Sequence, residues 1–219
     1  ADALEVEQLF VSNSVTSWPQ VIDISPDGGR IYVVETSGEI ADDVTQIPNL
    51  RTNAPTGRVL TTIDLRAGFS EPVTAQYDIG DNPIHIDVDP TGRYAAVGLA
   101  RPERQLAIIP TQTLDDPESY RYFSISRQDG TPASEITAVA WHPTEQFLVI
   151  GIDAEEVAFF AVTENDAGQL TITPHGRPLR LGNTITYGQF TQDGRYYLTA
   201  EINWDGLPNP LGKLFNPAG

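Results

Sequence analysis

The sequence predicts an all-β chain built from repeated four-stranded antiparallel units, and three observations predict it. A two-stranded pattern around a Pro/Asp/Gly turn recurs four times. Two further strand-like runs follow each of the first three copies. No segment sustains the 3.6-residue apolar period of a helix, so helix content is expected to be minor. The turns at Pro26, Pro90, Pro143 and Gln192 stand 64, 53 and 49 residues apart. Four short strands per period of about 50 residues describe the blade of a β-propeller, whose faces are buried only by neighbouring blades.

The elements follow in order. The first hairpin runs from Val21-Ile22-Asp23-Ile24 through Ser25-Pro26-Asp27-Gly28 to Ile31-Tyr32-Val33-Val34. The second runs from His85-Ile86-Asp87-Val88 through Asp89-Pro90-Thr91-Gly92 to Tyr94-Ala95-Ala96-Val97. Proline presets φ and glycine supplies positive φ, which is why each copy turns where it does. The third copy, 138–150, has Glu145 in place of the glycine, and the fourth, 187–199, has Gln192 in place of the proline. Third strands are expected at 58–65, 105–111 and 156–162, and fourth strands at 73–79, 120–126 and 169–173. The blade repeats then cover about 20–79, 84–126, 136–173 and an incomplete 185–219 within one partial propeller domain, 1–219.

The edges carry a further expectation. Residues 5–11 read as a lone fourth strand preceding the first blade. The tail 203–219 ends in Asn216-Pro217-Ala218-Gly219, much as the insertion 36–57 ends in Asn53-Ala54-Pro55-Thr56-Gly57 just before a third strand. By that analogy Gly219 is not the end of the folded unit. The chain is expected to supply about three complete blades and part of a fourth from a seven-bladed ring, with the remaining blades on a second chain or a further segment. A closed four-bladed ring is the rival, and it lacks a third strand in its last blade.

Composition bounds the function. The formal net charge is −17, from 30 acidic and 13 basic residues, which disfavours nucleic acid and anionic lipid as partners and suits cations or basic partners. No apolar run reaches the roughly 20 residues of a membrane-spanning helix. Cysteine is absent, which removes disulfides, thiolate metal ligands and cysteine nucleophiles. Methionine is absent even at position 1, so a removed leader or an excised piece is expected. No Gly-x-Ser-x-Gly, His-Glu-x-x-His, phosphate-loop or dinucleotide motif occurs.

The hairpins resemble those of the lactonase-type and surface-layer (YVTN-type) seven-bladed propellers, with their Ser-Pro-Asp-Gly-Arg-aromatic-hydrophobic turn, for which 25–34 is the nearest copy. Trp141-His142-Pro143, the run Val157-Ala158-Phe159-Phe160-Ala161-Val162 and Gly168-Gln169-Leu170 look much like a lactonase-family blade. The resemblance covers nearly the whole chain and implies the fold; this scaffold hosts enzymes, binders and scaffolds alike.

Candidate residues follow from position in the repeat. Asn82-Pro83-Ile84-His85 looks like the Pro-x-His start of a lactonase-type first strand, which implies a side chain turned to the central channel and either a general base or ligand at His85 or a histidine hydrogen-bonded within the ring. Asp23 and Asp87 occupy equivalent positions, where later repeats have Ala140 and Gln189. They could bind Ca²⁺ through oxygen or pair with turn backbone N–H groups. His142 is expected to cap its turn and His175 to lie in a surface loop. Arg30, Arg93 and Arg195 recur after the turn and are expected to pair with acidic turn residues. The insertion 36–57, with Glu35, Glu39, Asp42 and Asp43 in or beside it, and the tail with Trp204 and Phe215 are the expected partner-binding loops.

The leading expectation is a non-enzymatic binding or scaffold propeller, exported to the periplasm or beyond. The alternative is a lactonase-like hydrolase opening a sugar or cyclic ester lactone with His85 as base, and a third is cation-dependent assembly.

Overall fold

The computed structural model describes residues 21–35, 57–66, 73–80, 82–153, 156–166, 168–181 and 184–202. They form four antiparallel sheets in chain order. The first comprises β1 (Ile22–Ile24), β2 (Arg30–Val34), β3 (Val59–Asp64) and β4 (Val73–Asp78), and the second β5 (Pro83–Val88), β6 (Tyr94–Leu99), β7 (Leu106–Pro110) and β8 (Arg121–Phe123). The third holds β9 (Ile136–Trp141), β10 (Phe147–Ile152), β11 (Glu156–Glu164) and β12 (Leu170–Pro174), with β13 (Leu179–Arg180) pairing the start of β11. The fourth pairs β14 (Thr184–Phe190) with β15 (Tyr197–Ile202). The first strand of each sheet packs on the first strand of the next, β1 on β5, β5 on β9 and β9 on β14. The chain is thus a partial β-propeller of meandering blades whose first strands lie innermost. The one helical turn among the described residues is a 3₁₀ segment, Pro117–Ser119, capped by the Asp116 side chain.

Two elements depart from the expected pattern. β8 stops at Phe123 because the chain then turns back on itself through a bridge between Ser126 and Pro132. β13 is additional: β11 is nine residues long, and β12 covers only its far end, so Glu156 and Val157 pair with Arg180 and Leu179.

Three of the hairpins hold because the residue before the proline position of the turn accepts a backbone N–H from a residue at or just before the start of the second strand. Ser25 Oγ accepts from Arg30 N at 2.9 Å, Asp89 Oδ1 from Tyr94 N at 2.7 Å and Thr191 Oγ1 from Tyr196 N at 3.2 Å. Gly92, at φ 70°, shows why glycine serves these turns, since that left-handed conformation penalises a Cβ. Glu145 avoids the penalty by a different turn, in which His142 Nδ1 accepts from Glu145 N at 3.0 Å and Thr144 N at 3.3 Å.

Alternation along the inner strands decides what each face touches. Tyr32 and Val34 of the first blade meet Ile86, Val88, Ala95 and Val97 of the second. Ala96 and Ile108 of the second meet Val139, Trp141, Leu148 and Ile150 of the third. Val149 and Val157 of the third meet Phe190 and Tyr197 of the fourth. The same positions at the two outer faces are exposed. Ile22 and Ile24 are 55% and 53% exposed, whereas their equivalents Ile86 and Val88 are 2% and 8% exposed. Leu198, equivalent to the fully buried Ala96 and Val149, is 60% exposed.

Candidate functional site

The third residue before each turn proline points at the following blade. Asp23 Oδ2 accepts the Val88 N–H at 2.6 Å, and Asp87 Oδ2 accepts the Trp141 N–H at 2.5 Å. Each carboxyl group thereby satisfies a backbone donor on the inner edge of the next blade, where no further strand can pair with it. The two carboxyl groups also hydrogen-bond to each other. Burial pushes Asp87 well above the usual carboxylate range, and the neighbouring charge of Asp23 adds to the shift. Burial also raises Asp23, against the Val88 and Ile24 N–H groups that favour its charged form. Burial and the neighbouring charge of Asp23 thus favour the protonated form of Asp87.

Both side chains are half-buried at the inner edge of their blades. The carboxylates do meet backbone N–H groups, but on the next inner strand rather than in the turns, and Asp87 lies between blades. Calcium wants six to eight oxygen ligands. The described residues contain no group of three or more His, Asp or Glu side chains disposed to hold a metal.

His85 stands two residues before Asp87 on the same strand. It shares the β5 face of Asp87 by strand alternation. It is 4% exposed, buried rather than opening onto a channel. The resemblance carries the position of this histidine in the repeat, but its burial depends on the third blade packed over it.

His142 caps its turn as expected and does more. With Nδ1 accepting, Nε2–H donates to the Gly194 carbonyl in the fourth blade at 3.0 Å. It replaces the carboxylate link that Ala140, at the equivalent position, cannot make. Its ring stacks on Phe147 with centroids 4.4 Å apart. His175 is exposed just after β12 and stacks on the other side of the cluster, 5.8 Å from Phe147.

Two of the recurrent arginines, Arg30 and Arg93, join blades rather than pairing with acidic turn residues. Arg30 reaches Asp64 at 3.2 Å and the Thr111 carbonyl of the second blade at 3.3 Å. Arg93 reaches Glu164 of the third blade at 2.7 Å. Arg195 lies 5.7 Å over the ring of Tyr196. The turn acid Asp27 is engaged instead by Arg66 at 2.7 Å.

Glu35 ends the described part of the first hairpin, half-buried, its N–H donating to the Val59 carbonyl. Glu39, Asp42, Asp43, Trp204 and Phe215, with the strand expected at 5–11, lie outside the described residues.

Sequence reasoning missed Tyr197. Its hydroxyl is buried without a hydrogen-bond partner, and burial, with Asp87 and Tyr187 nearby, pushes its pKa up. A Cβ on Gly188 would fall 1.7 Å from that oxygen, so the glycine makes room for the ring. Tyr197→Phe removes an unpaired polar atom and is expected to raise stability by about 1 kcal/mol in urea unfolding.

It also missed two clefts between the first and second blades. One, of about 520 Å³, lies at the turn rim against Arg30, Arg66 and Thr111. The other, of about 350 Å³, lies at the opposite rim against Arg58, Arg101 and Arg104.

No protein-family model matches the chain, and no curated protein is similar to it. Solved structures do match. An auxiliary nutrient binding protein from Bacteroides thetaiotaomicron superposes with a TM-score of 0.53 at 12% identity, over 86% of this chain and 37% of that one. A candidate 6-phosphogluconolactonase from Bacteroides uniformis gives a TM-score of 0.48 at 16% identity, over 84% of this chain and 50% of that one. The Dos1 propeller gives 0.49 at 13% identity, over 82% of this chain and 38% of that one. At such identities the likeness concerns fold alone. The chain spans half or less of the length of these structures.

Proposed function

We propose that this chain is part of a non-enzymatic, exported binding or scaffold propeller, which engages a partner through its rim loops and whose ring is completed by further blades. The observation that carries the reading is the pair of exposed outer faces. Ile22, Ile24 and Leu198 are exposed, whereas their equivalents Ile86, Val88, Ala96 and Val149 are buried between blades. Packing such a face against another blade removes apolar surface from water at about 25 cal/mol per Å².

The inner strands support a structural role rather than a catalytic one. Asp23 and Asp87 spend their oxygens on backbone N–H groups and on each other. His85 is buried, whereas a general base must reach a water or a substrate within hydrogen-bond distance. The rim offers the alternative: β2 ends and β3 begins at the rim where Arg58 and Arg101 lie, and the expected partner-binding insertion separates the two strands in sequence. No helix among the described residues is long and apolar enough to cross a membrane.

The purified protein is expected to show no turnover above buffer against a panel of γ- and δ-lactones. Turnover of any of them overturns the binding reading, and its loss in His85→Ala would assign the base of a lactonase-like hydrolase.

A further inference from the structure

We propose that Arg195 and Tyr196 form a carboxylate clamp on the open face of the fourth blade, and that its occupant is an aspartate or glutamate on the third strand of one further blade. This rests on the reading that further blades complete the ring, and it names the chemistry that the next one must carry.

The first ground is a repeat within the chain. Tyr94 and Tyr196 occupy one position: the carbonyl of each accepts the N–H of the residue before the proline position of its turn, Asp89 or Thr191, at 2.9 Å. Arg93 and Arg195 precede them, with guanidinium groups 5.1 and 5.7 Å over the two tyrosine rings. In the second blade this pair holds an acid of the third. Arg93 reaches Glu164, the last residue of β11, at 2.7 Å and the Tyr94 hydroxyl at 3.2 Å. The Tyr94 hydroxyl and then the Arg93 guanidinium hold the Glu164 carboxyl below its ordinary range. In the fourth blade the same pair is open. Tyr196 is 59% exposed where Tyr94 is 8% exposed, and no carboxylate among the described residues pairs with Arg195.

The second ground is that the rest of the face repeats as well. Leu198 is exposed, and its equivalents Ala96 and Val149 are fully buried against a following blade. Gln189 stands where Asp23 and Asp87 accept an N–H from the following inner strand. The Tyr187 hydroxyl donates to Gln189 Oε1 at 2.5 Å, which steadies an amide oxygen with a second lone pair to offer. Apolar burial supplies the strength of such a contact. An exposed ion pair like Arg93–Glu164 adds little to it and instead selects the partner and its register.

The third ground decides between a second copy and a different blade. Arg30 and Phe147 are equivalent by the same carbonyl bond, and they pair across to Asp64 and Ala161. Glu164 lies three residues past Ala161, and the same count from Asp64 reaches Ala67 in the sequence. Asp64 itself is held by Arg30 and Arg66. A second copy of this chain therefore brings no carboxylate to the clamp, and the occupant is a blade of different sequence.

The test is carbodiimide coupling in the protein isolated from its source cells, carrying Arg195→Lys in one preparation and Arg93→Lys in another. Both arginines are exposed, so both variants are expected to fold. An amine in contact with a carboxylate becomes an amide, and the carbodiimide leaves as its urea. Peptide mass spectrometry is expected to join the amine of Arg93→Lys to Glu164. It is expected to join that of Arg195→Lys to an aspartate or glutamate outside residues 1–219, in a segment with the same turn and strand pattern. Coupling of the Arg195→Lys amine to nothing, to an acid within residues 1–219, or to a segment without that pattern overturns the proposal. The chain has no cysteine, so Leu198→Cys gives it a single thiol. That thiol is expected to react with a maleimide at least about tenfold more slowly in the native protein than in urea. A protected thiol without coupling overturns the clamp and keeps the further blade, whereas an unprotected thiol overturns both.

Discussion

Asp87→Ala is expected to destabilise the protein by about 2–4 kcal/mol, while Asp87→Asn folds at least as well as wild type above pH 6. Alanine abandons the buried Trp141 N–H and the carboxyl partner of Asp23 together. Asparagine has the same shape, can accept from Trp141 through its oxygen and can donate to Asp23 through its nitrogen. The pH dependence separates this account from simple packing. Burial, reinforced by Asp23, raises the folded-state pKa of Asp87 above its ordinary value of 3.8. A group raised in this way contributes its stability fully below the unfolded pKa and loses it as pH rises towards and through the folded value. Over that window the native state holds a proton that the unfolded chain has released. Wild type should therefore lose up to about 1.4 kcal/mol per pH unit relative to Asp87→Asn, starting from near equality around pH 4. Urea unfolding of both proteins between pH 4 and 8 measures the gap. A gap that does not widen with pH would show that no shared proton sits between the two carboxyls.

The second large effect contrasts two positions that the repeat makes equivalent. Val88→Lys should unfold the protein or cost more than about 4 kcal/mol, because it removes an apolar contact and places a charge between the first two blades. Ile24→Lys, at the same point of the preceding blade, should change stability by less than about 0.5 kcal/mol, because that side chain is 53% exposed. Thermal or urea melts of the two variants suffice. A loss of several kcal/mol in Ile24→Lys would mean that the outer face is already covered, against the proposal that it awaits a blade.

These effects also mark how far the sequence is legible. The turn at Pro90-Thr91-Gly92 and the alternation at Ile86-Asp87-Val88 are local signals, and β5 and β6 form where they indicate. The equivalence of Asp23 and Asp87 is visible from the same offset. Which way they point is not, because it depends on a strand more than fifty residues further on, whose Trp141 N–H one of them meets. His85 is a similar case: its place in the repeat is local information, whereas its burial is supplied by a neighbouring blade. The arginine cleft is the extreme. Arg58 belongs to one blade and Arg101 and Arg104 to the next, and no spacing rule announces that they share an opening. Gln105 reads from sequence as the first residue of a strand, and only the returning loop at Ala133 shows it to be a tether.

The links made by Asp23, Asp87 and His142 run one way. Asp23 serves the blade after it, Asp87 serves the next, and His142 hands the same service to the fourth. The surface carrying Ile22 and Ile24 and the surface carrying Leu198 are accordingly different surfaces, a receiving one and a giving one. A twofold axis matches like with like, so a symmetric pair of such units would set two receivers, or two givers, against each other. Association that respects this polarity is head-to-tail, and head-to-tail contacts either close into a circle or continue as a filament, with no stable intermediate symmetry between those ends.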